Sequence, residues 1–199
     1  MKQLKLIVAA LFLFSPFAAN ADLINFDDLA SGTPLTDQYI DLGVIFSGTE
    51  DGETFAPEVR SQQFLSVPNS APNYLTNFYV PDSTIDRLDE IIIDFIGTAN
   101  GVSLILNTAG TNTIWFDVFD GSDAFVSTIG LLGSGTDNVF HSLGDDIGKL
   151  VARQPTDTWW WSLDDLSFDI EPTTVPEPGT LALLGLGLVG MAARRRKKV

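Results

Sequence analysis

The chain has 199 residues, a net charge of −15 at pH 7, no cysteine and a single histidine. It therefore has neither disulfide staples nor thiol chemistry, and no His-rich metal site. Between residues 22 and 178 only Arg60, Arg87, Lys149 and Arg153 stand against all 26 acids, a net −22 for that stretch. A surface so acidic repels nucleic acid and anionic lipid, which excludes both as partners of the domain, and suits neutral sugars, divalent cations or solubility alone.

In chain order, residues 1–21 read as a signal peptide. Lys2 and Lys5 form a positive n-region, residues 6–14 an apolar stretch, and Ala19-Asn20-Ala21 a small-x-small site for signal peptidase. Pro16 breaks any longer membrane helix, so the mature chain is expected to begin at Asp22.

Residues 22–171 are dominated by strand signals. Short β-branched or aromatic runs fall at 23–26, 44–46, 64–67, 74–80, 90–96, 102–107, 113–119, 125–131, 150–153 and 160–170, separated by Gly, Pro, Asn and Asp clusters. Alternation is clear in Val102, Leu104 and Leu106, and again in Ile114, Phe116 and Val118 opposite Thr113, Trp115 and Asp117. Asp120-Gly121-Ser122-Asp123 reads as a tight hairpin turn, and Phe140-His141-Ser142 as a loop. About ten short strands in one such unit predict an all-β fold, a single β-sandwich of jelly-roll type.

The C-terminus closes with a third kind of segment. Residues 172–178 form a Pro-rich linker holding Val175, Pro176, Glu177 and Pro178, in which the prolines keep the chain extended. Residues 179–193 read as a transmembrane helix, and residues 194–199 as a basic cytoplasmic tail with Arg194, Arg195 and Arg196. The apolar run is short: residues 180–193 rise about 21 Å as a helix, against a hydrocarbon core of roughly 30 Å. No charge interrupts it, and long Lys and Arg side chains can snorkel to extend the span. Gly185, Gly187 and Gly190 lack the spacing of a GxxxG dimerisation face.

Motif, apolar run and basic cluster in this order resemble the PEP-CTERM sorting signal of exported Gram-negative bacterial proteins, which exosortases handle. The resemblance rests on residues 175–187 with Arg194, Arg195 and Arg196. It implies removal of the tail near the Pro-Glu-Pro element and association with the cell surface or exopolysaccharide. A looser resemblance covers the domain. Ile24-Asn25-Phe26-Asp27-Asp28-Leu29, Leu42-Gly43-Val44-Ile45-Phe46-Ser47 and Leu163-Asp164-Asp165-Leu166-Ser167-Phe168 are similar to segments of exported jelly-roll modules of galactose-binding-like outline. That resemblance implies first and last strands side by side, with acids on them holding a structural calcium.

Two constellations carry candidate chemistry. Asp27, Asp28, Asp164 and Asp165 are the candidate metal ligands, since calcium takes six to eight oxygens from carboxylates and carbonyls. Solvated strand ends without an ion are the alternative. Trp161 and Leu163 share one strand parity while Leu166, Phe168 and Ile170 share the other, which predicts a bulge at Asp164-Asp165. Trp159, Trp160 and Trp161 are the candidate ligand-stacking residues. In a strand Trp159 and Trp161 point one way and Trp160 the other, so one face can stack on a sugar while the other enters the core; all three covering the core is the alternative.

No catalytic residue is assigned. A triad would rest on His141 alone, the Asp117 to Asp123 stretch lacks EF-hand spacing, and a glycosidase pair cannot be singled out among 26 acids. The expected function is a non-enzymatic exported surface or matrix protein. A calcium-stabilised carbohydrate-binding module acting in exopolysaccharide is second, and a polysaccharide-active enzyme third.

Overall fold

The computed structural model describes residues 21–61, 72–79, 86–108, 110–135, 137–154 and 160–170. The signal peptide, the linker, the expected membrane helix and the strand expected at 64–67 lie outside these residues. Among the described residues no helix is long and apolar enough to cross a membrane.

Thirteen strands follow one another: β1 (Asp22–Ile24), β2 (Val44–Glu50), β3 (Glu53–Phe55), β4 (Glu58–Ser61), β5 (Asn73–Thr76), β6 (Phe78–Tyr79), β7 (Asp86–Arg87), β8 (Glu90–Thr108), β9 (Thr113–Phe119), β10 (Phe125–Leu132), β11 (Val139–Gly144), β12 (Ile147–Arg153) and β13 (Trp161–Ile170). The only helical element among the described residues is a 3₁₀ turn at Ile40–Leu42. Eleven strands share one hydrogen-bonded network, while β6 and β7 pair with each other.

The organising element is β8. Residues 90–96 and 102–107, expected as two strands, are one strand of 19 residues. Gly97 and Gly101 adopt positive φ (119° and 59°), which only glycine takes without strain, so what reads as turn punctuation is a bend inside a continuous strand. Before the bend β8 pairs with β2 and β12, and after it with β11 and β13. One layer is therefore β3-β2-β8-β12-β9-β10, and the other is β11-β8-β13 continued by β5 and β4, with β1 also on β13.

The layers face each other through the alternating apolar positions. Phe116 of β9 meets Trp161 of β13 edge-on at 6.5 Å, and Phe95 of β8 meets Phe168 of β13 at 5.3 Å. Val102, Leu104, Leu106, Ile114, Phe116 and Val118 all lie in this core, as their alternation predicts. The arrangement is all-β and consistent with a β-sandwich.

Two local expectations change and a third holds. The run 74–80 breaks into β5 and β6 at Asn77, which is fully buried; its side-chain carbonyl accepts the Trp161 amide at 3.0 Å, so the kink is tied to β13. His141 lies in β11 and not in a loop: Val139 and Leu143 alternate with exposed Phe140 and Ser142, a period hidden by the polar His-Ser pair. The hairpin at 120–123 forms as expected. Asp120 Oδ1 accepts the amides of Ser122 and Ala124 and the Ser122 hydroxyl, which holds its carboxyl below the usual carboxylate range.

Candidate functional site

The acid pairs come first. β1 runs antiparallel to β13 with Ile24 opposite Leu166, so the first and last strands of the domain are neighbours, and the chain leaves β1 close to Asp165. The expected bulge is present: the β13–β8 register shifts between Asp164 and Ser167, and Asp165 sits at φ 48°.

The carboxylates nevertheless serve different partners. Asp27 Oδ1 accepts the Asn73 amide at 2.9 Å and its Oδ2 accepts the Asn25 side-chain amide at 3.2 Å. Asp28 accepts the Tyr39 hydroxyl at 2.5 Å. Asp164 is 3% exposed and accepts the Asp165 amide at 2.9 Å, which secures the bulge.

Phe26 explains the first two placements. It is fully buried at φ 60° and packs edge-on against Tyr39 and Phe46, turning the chain so that Asp28 reaches the Tyr39 hydroxyl. Burial, the Asp28 hydrogen bond and the charges of both acids push the Tyr39 phenol well above its ordinary range. Among the described residues no group of three or more Asp, Glu, His or Cys could hold a metal ion. Asp27, Asp28, Asp164 and Asp165 are accordingly not found as one such group among the described residues.

Trp161 is 1% exposed and belongs to the core, and Trp160 is half-buried. Trp159 lies outside the described residues.

The outward face of the β9 layer presents a different group. Register places Thr128, Asp117 and Val151 in one row across β10, β9 and β12, and Gly130, Trp115 and Arg153 in the next. Arg153 donates to Asp117 at 2.8 and 3.0 Å while the Thr128 hydroxyl donates to the same carboxylate at 2.5 Å, and these bonds hold the Asp117 carboxyl below its usual range. Lys149 pairs with Asp123 and lies 4.4 Å from the Phe119 ring centroid.

Two clefts open on this layer. One, about 420 Å³, is lined by Asp94, Asp120, Asp123 and Lys149 over Gly97, Gly121 and Gly148. Burial pushes the Asp94 carboxyl up, against the pull of Lys149 and with a smaller push from Asp123. The other, about 390 Å³, is lined by Thr111, Asn112, Thr113, Trp115 and Gln154 among others. Trp115 is 37% exposed at its mouth. Trp115 falls on the polar parity of its strand and is not among the candidate residues that stand out in the sequence. An indole among outward Thr and Asp positions was the available signal.

Residues 174–197 match the PEP-CTERM protein-sorting motif, so the chain carries the signal of an exported protein, anchored through its C-terminus before exosortase processing. Val175, Pro176, Glu177, Pro178, Arg194, Arg195 and Arg196 all fall within that match, outside the described residues. No curated protein matches the chain. Among solved structures it is similar to the K2 cleaved adhesin domain of Lys-gingipain, with a TM-score of 0.51 and 11% identity over 76% of this chain and 100% of that one. At that identity the likeness is one of fold. A CBM61 module in complex with β-1,4-galactotriose gives 0.42 and 12%, covering 72% of this chain and 100% of that one. A CBM36 module in complex with calcium and xylotriose gives 0.31 and 12%, covering 74% and 99%.

Proposed function

We propose that this chain is a non-enzymatic protein of the cell surface or extracellular matrix of a Gram-negative bacterium, exported, anchored through its tail and then trimmed by an exosortase-type system. The sorting motif at residues 174–197 is the observation that carries this reading. The cargo is a jelly-roll domain of residues 22–171, and its strong negative charge keeps it soluble outside the cell. His141, the only imidazole in the chain, is spent on structure: its Nε2 donates to the Leu132 carbonyl at 3.1 Å. Expression in an exosortase-bearing host with intact-mass analysis of the surface fraction tests the reading. A product ending near Pro178 is expected, and a full-length product in the inner membrane alone would refute it.

Carbohydrate binding within exopolysaccharide is the second reading. The observation that favours it is an indole held at the mouth of a cleft whose walls offer hydroxyl and amide groups. A glycan array read with and without calcium separates a passive matrix protein from a binding module.

A further inference from the structure

We infer that the cleft beside Trp115 is a subsite for one neutral sugar unit of a polysaccharide, stacked on the Trp115 indole and hydrogen-bonded by Gln154. This rests on the carbohydrate-binding reading and gives it a place and a ligand class.

The platform is built by register. Ile114 and Phe116 point into the core, so Trp115 between them must point out. Its cross-strand partner on β10 is Gly130, where a Cβ would stand 2.8 Å from the Trp115 six-membered ring and 3.1 Å from the Thr113 methyl. No side chain can occupy that position with the ring where it is. The indole therefore lies across the β10 backbone and leaves surface toward solvent, the geometry on which the apolar face of a pyranose packs.

The cleft wall supplies polarity of the matching kind. At about 390 Å³ it falls within the range of small-molecule sites. Gln154 lines it, and both atoms of its side-chain amide are shut off from solvent with no hydrogen-bond partner among the described residues. A buried amide left unpaired is costly. A turn of this flexible side chain toward the cleft would let sugar hydroxyls, which both donate and accept, satisfy the carbonyl and the amine together.

The charge pattern selects neutral sugars. No carboxylate lines the cleft among the described residues. Arg153, the cation next to Trp115 in register, is committed to Asp117 through two hydrogen bonds. A uronate or sulfate would meet the net −22 of residues 22–178, and no described residue lining the cleft is a cation that would offset it.

The test uses the full chain in detergent micelles and native affinity electrophoresis against neutral galactan, xylan, mannan and β-glucan, with alginate and pectate as anionic probes. Wild type should be retarded by at least one neutral polymer and by neither anionic one. Trp115→Ala should weaken that binding about tenfold or more, Trp115→Phe should retain part of it, and Gln154→Ala and Gly130→Val should each weaken it severalfold without lowering the melting temperature in proportion. Equal binding by wild type, Trp115→Ala and Gln154→Ala would overturn the site and leave the carbohydrate reading standing. No binding to any polymer would overturn both, and preferential binding to alginate or pectate would overturn the neutral class.

Discussion

The two layers of the domain carry similar side chains on their outward faces and bury them to opposite extents. On the β9 layer, Trp115, Asp117, Thr128 and Arg153 reach solvent at least in part, and their charges pair across strands. On the β13 layer the corresponding row of Thr76, Ser162 and Asn107 is buried, as is Asp164. Buried polar groups are fixed by hydrogen bonds, such as Thr76 Oγ1 to the Trp161 carbonyl at 3.0 Å, and so serve the fold. Exposed groups beside a cleft remain open to a ligand. Of the acids and tryptophans that stand out in sequence, Asp164 and Trp161 are enclosed, whereas Asp28 is exposed and Asp27, Asp165 and Trp160 are half-buried, so residue type alone does not say which of them a ligand could reach.

The comparison can be broken most directly at the tryptophans. Trp161→Ala removes a fully buried indole packed on Phe116 and should cost about 3–5 kcal/mol, a fall in melting temperature on the order of 10 °C. Trp160→Ala, from a half-buried position, should cost less than about half of that. Equal effects in differential scanning calorimetry would mean that parity does not divide the run.

Tyr39 sharpens the same contrast through pH. Its phenol is raised in the folded chain by burial and by Asp28, so it keeps its proton where an unfolded tyrosine loses it. The stabilisation is complete below an unfolded pKa of about 10 and is lost as pH rises above that value, with a slope approaching about 1.4 kcal/mol per pH unit. Denaturant midpoints between pH 9 and 12 should fall more steeply for wild type than for Tyr39→Phe. Parallel curves would show that the phenol is neither buried nor held by Asp28 in solution.

The strand alternation at 102–106 and 114–118 was legible because apolar residues with period two admit one inward face. The continuity of β8 was not, because Gly97, Asn100 and Gly101 spell a turn until the neighbours on both halves are known. The bulge at Asp164-Asp165 could be read from the switch of parity, whereas the separate partners of the four acids could not. Trp115 and Gly130 lie 15 positions apart, and only the register of β9 against β10 shows that one makes room for the other. Gln154 sits just beyond the end of β12, where nothing in sequence shows that its amide is enclosed.

On the exposed layer electrostatics should matter little for stability. Asp117→Asn removes a carboxylate paired with Arg153, but Arg153 is 41% exposed, so about 0.5–1 kcal/mol is expected. Because the folded Asp117 pKa is depressed, its contribution is present above the ordinary carboxylate value of about 4 and fades as pH falls below it. Wild type and Asp117→Asn should thus converge in stability under acid; a gap that persists unchanged at low pH would point to packing and not to charge.

The smallest expected effect is also the one that bears most on the enclosed layer. Asp27 and Asp28 already answer an Asn73 amide and a Tyr39 hydroxyl, and Asp164 answers the Asp165 amide beside its own bulge. Calcium would need six to eight oxygens around one point, with carboxylates supplying the charge. No three carboxylates converge that way among the described residues. Adding EDTA, or calcium after dialysis, should therefore leave the melting temperature unchanged within error. A drop of several degrees on chelation, reversed by calcium and not by magnesium, would instead require ligands from backbone carbonyls or from residues outside those described, and would return the β1–β13 junction to the role its paired acids first suggest.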